Sequence, residues 1–188
     1  MWLFNKEYTN LAEAVSHHKR VRKLRLSFED MGQVNASIGT FISLQSLQVI
    51  SDANQPLLRD FSESIPKLRS LTTVNVVFPD FPGWMLRLKE LEFLYLRGCD
   101  FKSVPDEIAS LSKLKVLRLE NIDITHLPAS IAEMNNLREL SLTDCLHLNF
   151  QPESLPGKLR KLIIPSSVIA NHHKDLLQER PNLKIQTY

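Results

Sequence analysis

Apolar residues recur along this chain at two nested spacings. In its middle third, Leu91, Leu94 and Leu96 make a triplet that returns as Leu114, Leu117 and Leu119, then as Leu137, Leu140 and Leu142. Each copy begins twenty-three residues after the last. Between the triplets the polar stretches are interrupted at matching places: Phe101, Val104, Pro105, Ile108 and Leu111 align with Ile124, Leu127, Pro128, Ile131 and Met134. The pattern continues upstream as Val21-x-x-Leu24-x-Leu26, Leu44-x-x-Leu47-x-Val49 and Leu71-x-x-Val74-x-Val76, and downstream as Leu159-x-x-Leu162-x-Ile164 and Leu183-x-Ile185. Trp2 to Phe4 lie one period before Leu26 and read as the remains of an opening strand.

Alternation inside each triplet predicts a short strand with one face buried, because side chains switch faces with period two. The segments between read as returns, helical where the sequence allows. Helices are expected at Leu11 to His18 (with Thr9 and Asn10 as caps), Pro56 to Ile65, Asp106 to Leu111 and Ala129 to Met134, with a closing helix from Val168 to Arg180 before Pro181. No such unit buries its apolar face alone, so stacking of neighbours supplies the core. Three units depart from the pattern. The one between Val76 and Leu91 is three residues short, lacks a ninth position and carries Pro79, Pro82 and Trp84; the one from Leu44 to Leu71 is four residues long, its surplus expected in Ser51 to Pro56; and 150–157 has prolines in place of a helical pattern.

Written out, the repeat is L-x-x-L-x-L-x-x-N/C-x-L-x-x-L-P-x-x-I-x-x-L, with Cys99 and Cys145 at the Asn/Cys position. It resembles the leucine-rich-repeat consensus over essentially the whole chain. That resemblance implies an α/β solenoid, a horseshoe of about seven to eight repeats with a curved parallel sheet on the concave face and short helices or irregular returns on the convex face. It also implies a single domain over 1–188, with 1–20 as a partial repeat or capping helix, 21–164 as the repeats, and 165–188 as a closing helix and strand. The mixed repeat lengths, and 150–157 in particular, resemble the short leucine-rich-repeat effectors that intracellular bacteria of the Legionella type inject into host cells. Phe81-Pro82-Gly83-Trp84-Met85 ahead of Leu88 and Leu91 resembles plant resistance-protein repeats as well, and the two matches compete. Either implies recognition of another protein. In the family some members cover a partner enzyme's active site, which would make this chain an inhibitor or a targeting factor. The alternative is the substrate-recognition part of a larger enzyme of ubiquitin-ligase type, or a fragment of an immune receptor.

Composition narrows the chemistry. A net charge of +2 provides no global field toward nucleic acid or anionic membrane. No run of eighteen apolar residues is present to span a bilayer. Met1 to Glu7 lack the basic start and long apolar stretch of a secretory signal, so a cytoplasmic location is expected, or delivery to a host cytosol by another route. With two cysteines there is no disulfide framework, and in the repeat they stand two strands apart, roughly 10 Å, beyond disulfide reach. The six histidines include no zinc-ligand spacing. There is no Gly-rich phosphate loop and no G-x-S-x-G turn. No catalytic residue, metal or cofactor is therefore assigned, and a monomer, or a heterodimer with the partner, is expected. Lys19, Arg20, Arg22, Lys23 and Arg25 form one basic cluster, either a phosphate-binding patch or solvated surface; the near-neutral chain and the lack of interleaved aromatics favour the second, and no nucleic-acid partner is expected.

Positions three, five and seven of each strand should face outward on the concave side. They read Lys23, Arg25 and Ser27; Ser46, Gln48 and Ile50; Thr73, Asn75 and Val77; Phe93, Tyr95 and Arg97; Val116, Arg118 and Glu120; Glu139, Ser141 and Thr143; and Lys161, Ile163 and Pro165. The expected binding residues are Asn75, Phe93, Tyr95, Arg97, Val116, Arg118, Glu120, Glu139 and Thr143, since aromatics and arginine at a patch centre have the composition of a hot spot. The competing reading is that Phe93 and Tyr95 only stack across strands with Val116, stabilising the sheet by a fraction of a kcal/mol per pair.

Overall fold

The structure, a computed structural model, describes residues 6–27, 30, 33, 37–56 and 60–188. Strands β1 (Glu7–Tyr8), β2 (Lys23–Ser27), β3 (Ser46–Pro56), β4 (Ser70–Val77), β5 (Phe93–Arg97), β6 (Val116–Glu120), β7 (Glu139–Ser141), β8 (Lys161–Ile163) and β9 (Lys184–Gln186) form one parallel sheet in chain order. The leucine triplets set this register. Leu94 sits opposite Leu117, and Leu117 opposite Leu140, so identical side chains stack from unit to unit. The residue after each triplet's first leucine donates its N–H to its counterpart one unit earlier: Glu92 to Arg69, Lys115 to Glu92, Arg138 to Lys115 and Arg160 to Arg138, each at 2.8 Å. Leu94, Leu96, Leu117, Leu119, Leu140 and Leu142 are fully buried. The result is the leucine-rich-repeat horseshoe.

Returns are shorter than helices in the middle and helical only near the ends. Helix α1 (Leu11–Ser16) is capped by Asn10, whose side-chain oxygen accepts the Glu13 N–H at 3.0 Å. Gly83–Arg87, Asp106–Ser110 and Ala129–Glu133 are single 3-10 turns, each behind a proline. A fixed period leaves few residues for the return, and the tighter turn still points Met85, Ile108 and Ile131 fully into the core. Pro152–Ser154 is another such turn. The closing segment is two short helices, α2 (Ser166–Ile169) and α3 (His173–Glu179), rather than one over Val168 to Arg180. Of the helix expected from Pro56 to Ile65, 57–59 lie outside the described residues; Pro56 ends β3, and 60–65 are not helical but make turns in which Ser64 and Ile65 donate to the Phe61 carbonyl. Phe61 packs edge-on to Trp84 at 5.2 Å between ring centroids. Trp2 to Phe4 lie outside the described residues, and the first described strand is Glu7–Tyr8, with Tyr8 opposite Leu24. Among the described residues no helix is long and apolar enough to cross a membrane.

The third full strand overturns the expected register. Leu71 stands opposite Leu94, and Thr73 opposite Leu96, so this unit begins at Leu68 rather than Leu71. Its length to Leu91 is the regular twenty-three, with Val76 buried at the ninth position and Phe78, Phe81, Pro82, Met85 and Leu88 at the consensus places. It is not short. The unit before it is one residue long rather than four, and β3 takes up the irregularity in a bulge between Ile50 and Gln55. Thr73 is the physical reason: a polar residue fills a leucine slot, while Val74 and Val76 imitate the triplet three residues on.

Thr73 is fully buried and its hydroxyl has no hydrogen-bond partner. The thiol of Cys99, a weak hydrogen-bonding group, stands beside it. Thr73→Val keeps the shape and removes the unmet desolvation. It is expected to stabilise the fold by about 1 kcal/mol, or about 2–4 °C in thermal midpoint by calorimetry. An unchanged or lower midpoint contradicts the assignment.

Candidate functional site

The alternation of each strand puts the third, fifth and seventh residues of its repeat unit on the concave face. Between β5 and β6 the outward pairs are Phe93 with Val116, Tyr95 with Arg118, and Arg97 with Glu120. On β7, Glu139 lies beside Val116 and Ser141 beside Arg118. The side chains then connect diagonally. Tyr95 donates its hydroxyl proton to Glu120 Oε2 at 2.8 Å, and Ser141 donates to Glu120 Oε1 at 3.2 Å. Ser141 and Thr143 share a hydroxyl hydrogen bond of 2.9 Å. Arg118 grips Glu139 Oε1 from Nε at 2.9 Å and from a terminal nitrogen at 2.6 Å. Its guanidinium lies 5.7 Å from the Phe93 ring centroid, within cation–π range. Lys161 stands 3.8 Å from the other Glu139 oxygen.

This network holds its members in place. Phe93 and Tyr95 are half-buried, Arg97 is exposed, and Val116, Arg118, Glu120, Glu139 and Thr143 are half-buried around them. Burial pushes the Tyr95 phenol above its ordinary pKa, and the bond to Glu120 adds to the rise. The ring therefore stays neutral and a donor. Ser141 is buried and supports the face from beneath. Side chains already fixed lose less rotamer freedom when a partner docks.

Asn75 does not belong to this face. With the register corrected, the third row is Ser70, Thr72 and Val74, and Asn75 falls one place past it. There it adopts φ 54°, as Gly98 (65°), Asn121 (50°) and Asp144 (58°) do in the next three units. Only glycine, and less readily Asn or Asp, visits this left-handed region routinely. Asn, Gly, Asn and Asp at twenty-three-residue spacing is the signal that could have placed the turn from sequence. The turns edge an open groove of about 880 Å³ at the rim, lined also by Asp52, Asp100 and Asp123. Lys102 and His147 both bond Asp123 there, and together hold its carboxyl below the usual range.

Cys99 and Cys145 are free and point inward. Burial pushes both thiols up to about 12, which makes them poor nucleophiles near neutral pH. Cys145 donates to the Leu119 carbonyl at 3.3 Å, as its place in the repeat requires. Among the described residues, no cluster of His, Cys, Asp and Glu is placed to hold a metal ion. From the basic cluster, Lys23 and Arg25 lie on β2 and face the concave side.

The Leucine Rich Repeat family profile matches residues 90–111, the unit that contains β5. A leucine-rich-repeat protein of Leptospira interrogans superposes with a TM-score of 0.71 and 27% identity, over 84% of this chain and 46% of its own. InlP of Listeria monocytogenes shares the fold at a TM-score of 0.52 and 16% identity, over 78% of this chain and 49% of its own. The leucine-rich-repeat ectodomain of the Arabidopsis thaliana receptor kinase SOBIR1 gives 0.47 and 20%, over 59% and 61%. No curated protein matches in sequence. The repeat, its register and the likeness to the Leptospira protein agree on the leucine-rich-repeat fold for this chain. It spans about half the length of the Leptospira protein it resembles.

Proposed function

We propose that this chain works by binding rather than catalysis, and that its partner is a protein held at the concave centre by Phe93, Tyr95, Arg97 and Arg118. One observation carries the reading: two half-exposed aromatic rings on one strand lie beside a guanidinium that a carboxylate fixes over one of them. Stacking of Phe93 on Val116 accounts for a fraction of a kcal/mol of sheet stability. It gives no reason for an exposed Arg97 or for Arg118 held over Phe93. Val116, Glu120, Glu139 and Thr143 form the surround that excludes water.

The finer reading is that the partner is an enzyme covered at its active site, and that the chain acts as an effector in a host cytosol. Its support is the resemblance of the proline-bearing return at 150–157 to bacterial effector repeats. The test is quantitative affinity capture from host-cell extract with wild type, Phe93→Ala, Tyr95→Ala, Arg118→Ala and the convex control Glu107→Ala. The expected outcome is a partner retained by wild type and Glu107→Ala and lost from the three concave variants. Equal retention by all five contradicts the proposal. For a captured enzyme, activity should fall on adding wild type and persist with Tyr95→Ala.

A further inference from the structure

The concave face of this molecule carries more cations than carboxylates. Along the outward positions of β2 to β9, Lys23, Arg25, Arg97, Arg118, Lys161 and Lys184 outnumber Glu120, Glu139 and, toward the end of β3, Asp52, with Glu7 beside Lys23 at the far edge. The two central carboxylates are already engaged: Glu139 by Arg118 and Lys161, Glu120 by the hydroxyls of Tyr95 and Ser141. Lys23, Arg25 and Lys184 make no ion pair among the described residues, and Arg97, though opposite Glu120, is exposed with no carboxylate bound. Further carboxylates lie at the rim, where Asp100 and Asp144 edge the groove with Asp52.

The cations are also spaced. The sheet runs in chain order, so β2 and β8 lie three strands to either side of β5. At the usual inter-strand distance that is roughly 14 Å in each direction from Phe93 and Tyr95. Lys23 and Arg25 stand at one such point and Lys161 at the other, with Lys184 one strand beyond.

We infer that the concave face takes a protein segment with carboxylates on both sides of an apolar or aromatic side chain. The apolar group meets Phe93 and Tyr95, one acidic end meets Lys23 and Arg25, and the other meets Lys161 and Lys184. This rests on the binding reading above and adds the chemistry of the partner. A nucleic acid shares the negative charge but fits less well. Its phosphates are continuous, whereas Glu120 and Glu139 interrupt the cations at the centre and the aspartates of the rim flank them.

The test is fluorescence anisotropy with the full chain and three labelled probes of about a dozen units, long enough to span the cations when extended. They are a peptide with glutamates at both ends and tryptophan in a neutral centre, the same peptide with lysines for glutamates, and single-stranded oligouridine. The glutamate peptide should bind at least about tenfold more tightly than either other probe, and weaken several-fold between about 0.05 and 0.3 M salt. The double substitution Lys23→Glu, Arg25→Glu should weaken it roughly fivefold or more, and Glu107→Lys should not. Equal or tighter binding of the lysine peptide or of oligouridine overturns the inference, as does no binding of the glutamate peptide. If Tyr95→Ala still loses the partner captured from extract in that case, the binding face stands and only its acidic preference falls.

Discussion

Leu117→Ala is expected to lower unfolding free energy by about 2–5 kcal/mol and the thermal midpoint by roughly 5–15 °C. Leu117 is fully buried on β6, with Leu94 opposite on one side and Leu140 on the other. Truncation removes transfer energy and leaves a cavity. The neighbours collapse into it poorly, because backbone ladders fix the strands that carry them: the N–H groups of Lys115 and Arg138 each bond one unit back at 2.8 Å. Position raises the cost. In a solenoid each unit is stabilised mainly by the two beside it, so a defect at the centre uncouples the halves. Denaturant unfolding should show a lower midpoint, and a broadened or two-step transition if the halves separate. A loss below about 1 kcal/mol would mean the core is not continuous through β6.

Tyr95→Ala is expected to weaken partner binding by about thirtyfold or more, or at least 2 kcal/mol, while costing stability less than about 1 kcal/mol. The ring faces outward, so little of the core depends on it. Two losses combine at the interface: the ring's contact area, and the 2.8 Å bond that orients Glu120. Tyr95→Phe separates them, retaining the ring and giving up only the bond. Its expected cost is about 1 kcal/mol, typical of one hydrogen bond. Titration calorimetry with the captured partner distinguishes the cases. If Phe and Ala at 95 weaken binding equally, the hydroxyl network rather than the ring is the contact.

Legibility in the sequence followed chemical regularity. The units from Leu91, Leu114 and Leu137 keep leucine at the first, fourth and sixth places and the next differs only by Ile164, and there the inferred strands, their order and the outward rows of β5 to β8 coincide with the structure. At β4 a threonine stood in for leucine, and two valines at the right spacing mimicked the triplet. The frame slipped by three residues, which invented a short unit and moved Asn75 onto a face it does not join. The ladder of left-handed turns at Asn75, Gly98, Asn121 and Asp144 would have fixed the frame, because backbone conformation constrains those positions more tightly than burial constrains a valine. Return segments were read as helices because apolar spacing alone does not separate an α-helical turn from a 3-10 turn of five residues. The hydrogen bonds among Tyr95, Glu120 and Ser141, and the grip of Arg118 on Glu139, depend on which diagonals the sheet twist brings together. One-dimensional spacing does not carry that information.

We propose above that the partner docks on the concave centre. Site-specific photo-crosslinking tests it most directly, with a benzophenone amino acid placed at Arg97 in one variant and at Glu107 in another. Both side chains are exposed, on opposite faces of neighbouring segments. Irradiation is expected to join the partner to the chain from position 97 and not from position 107. Crosslinking from 107 alone, or equally from both, would contradict it.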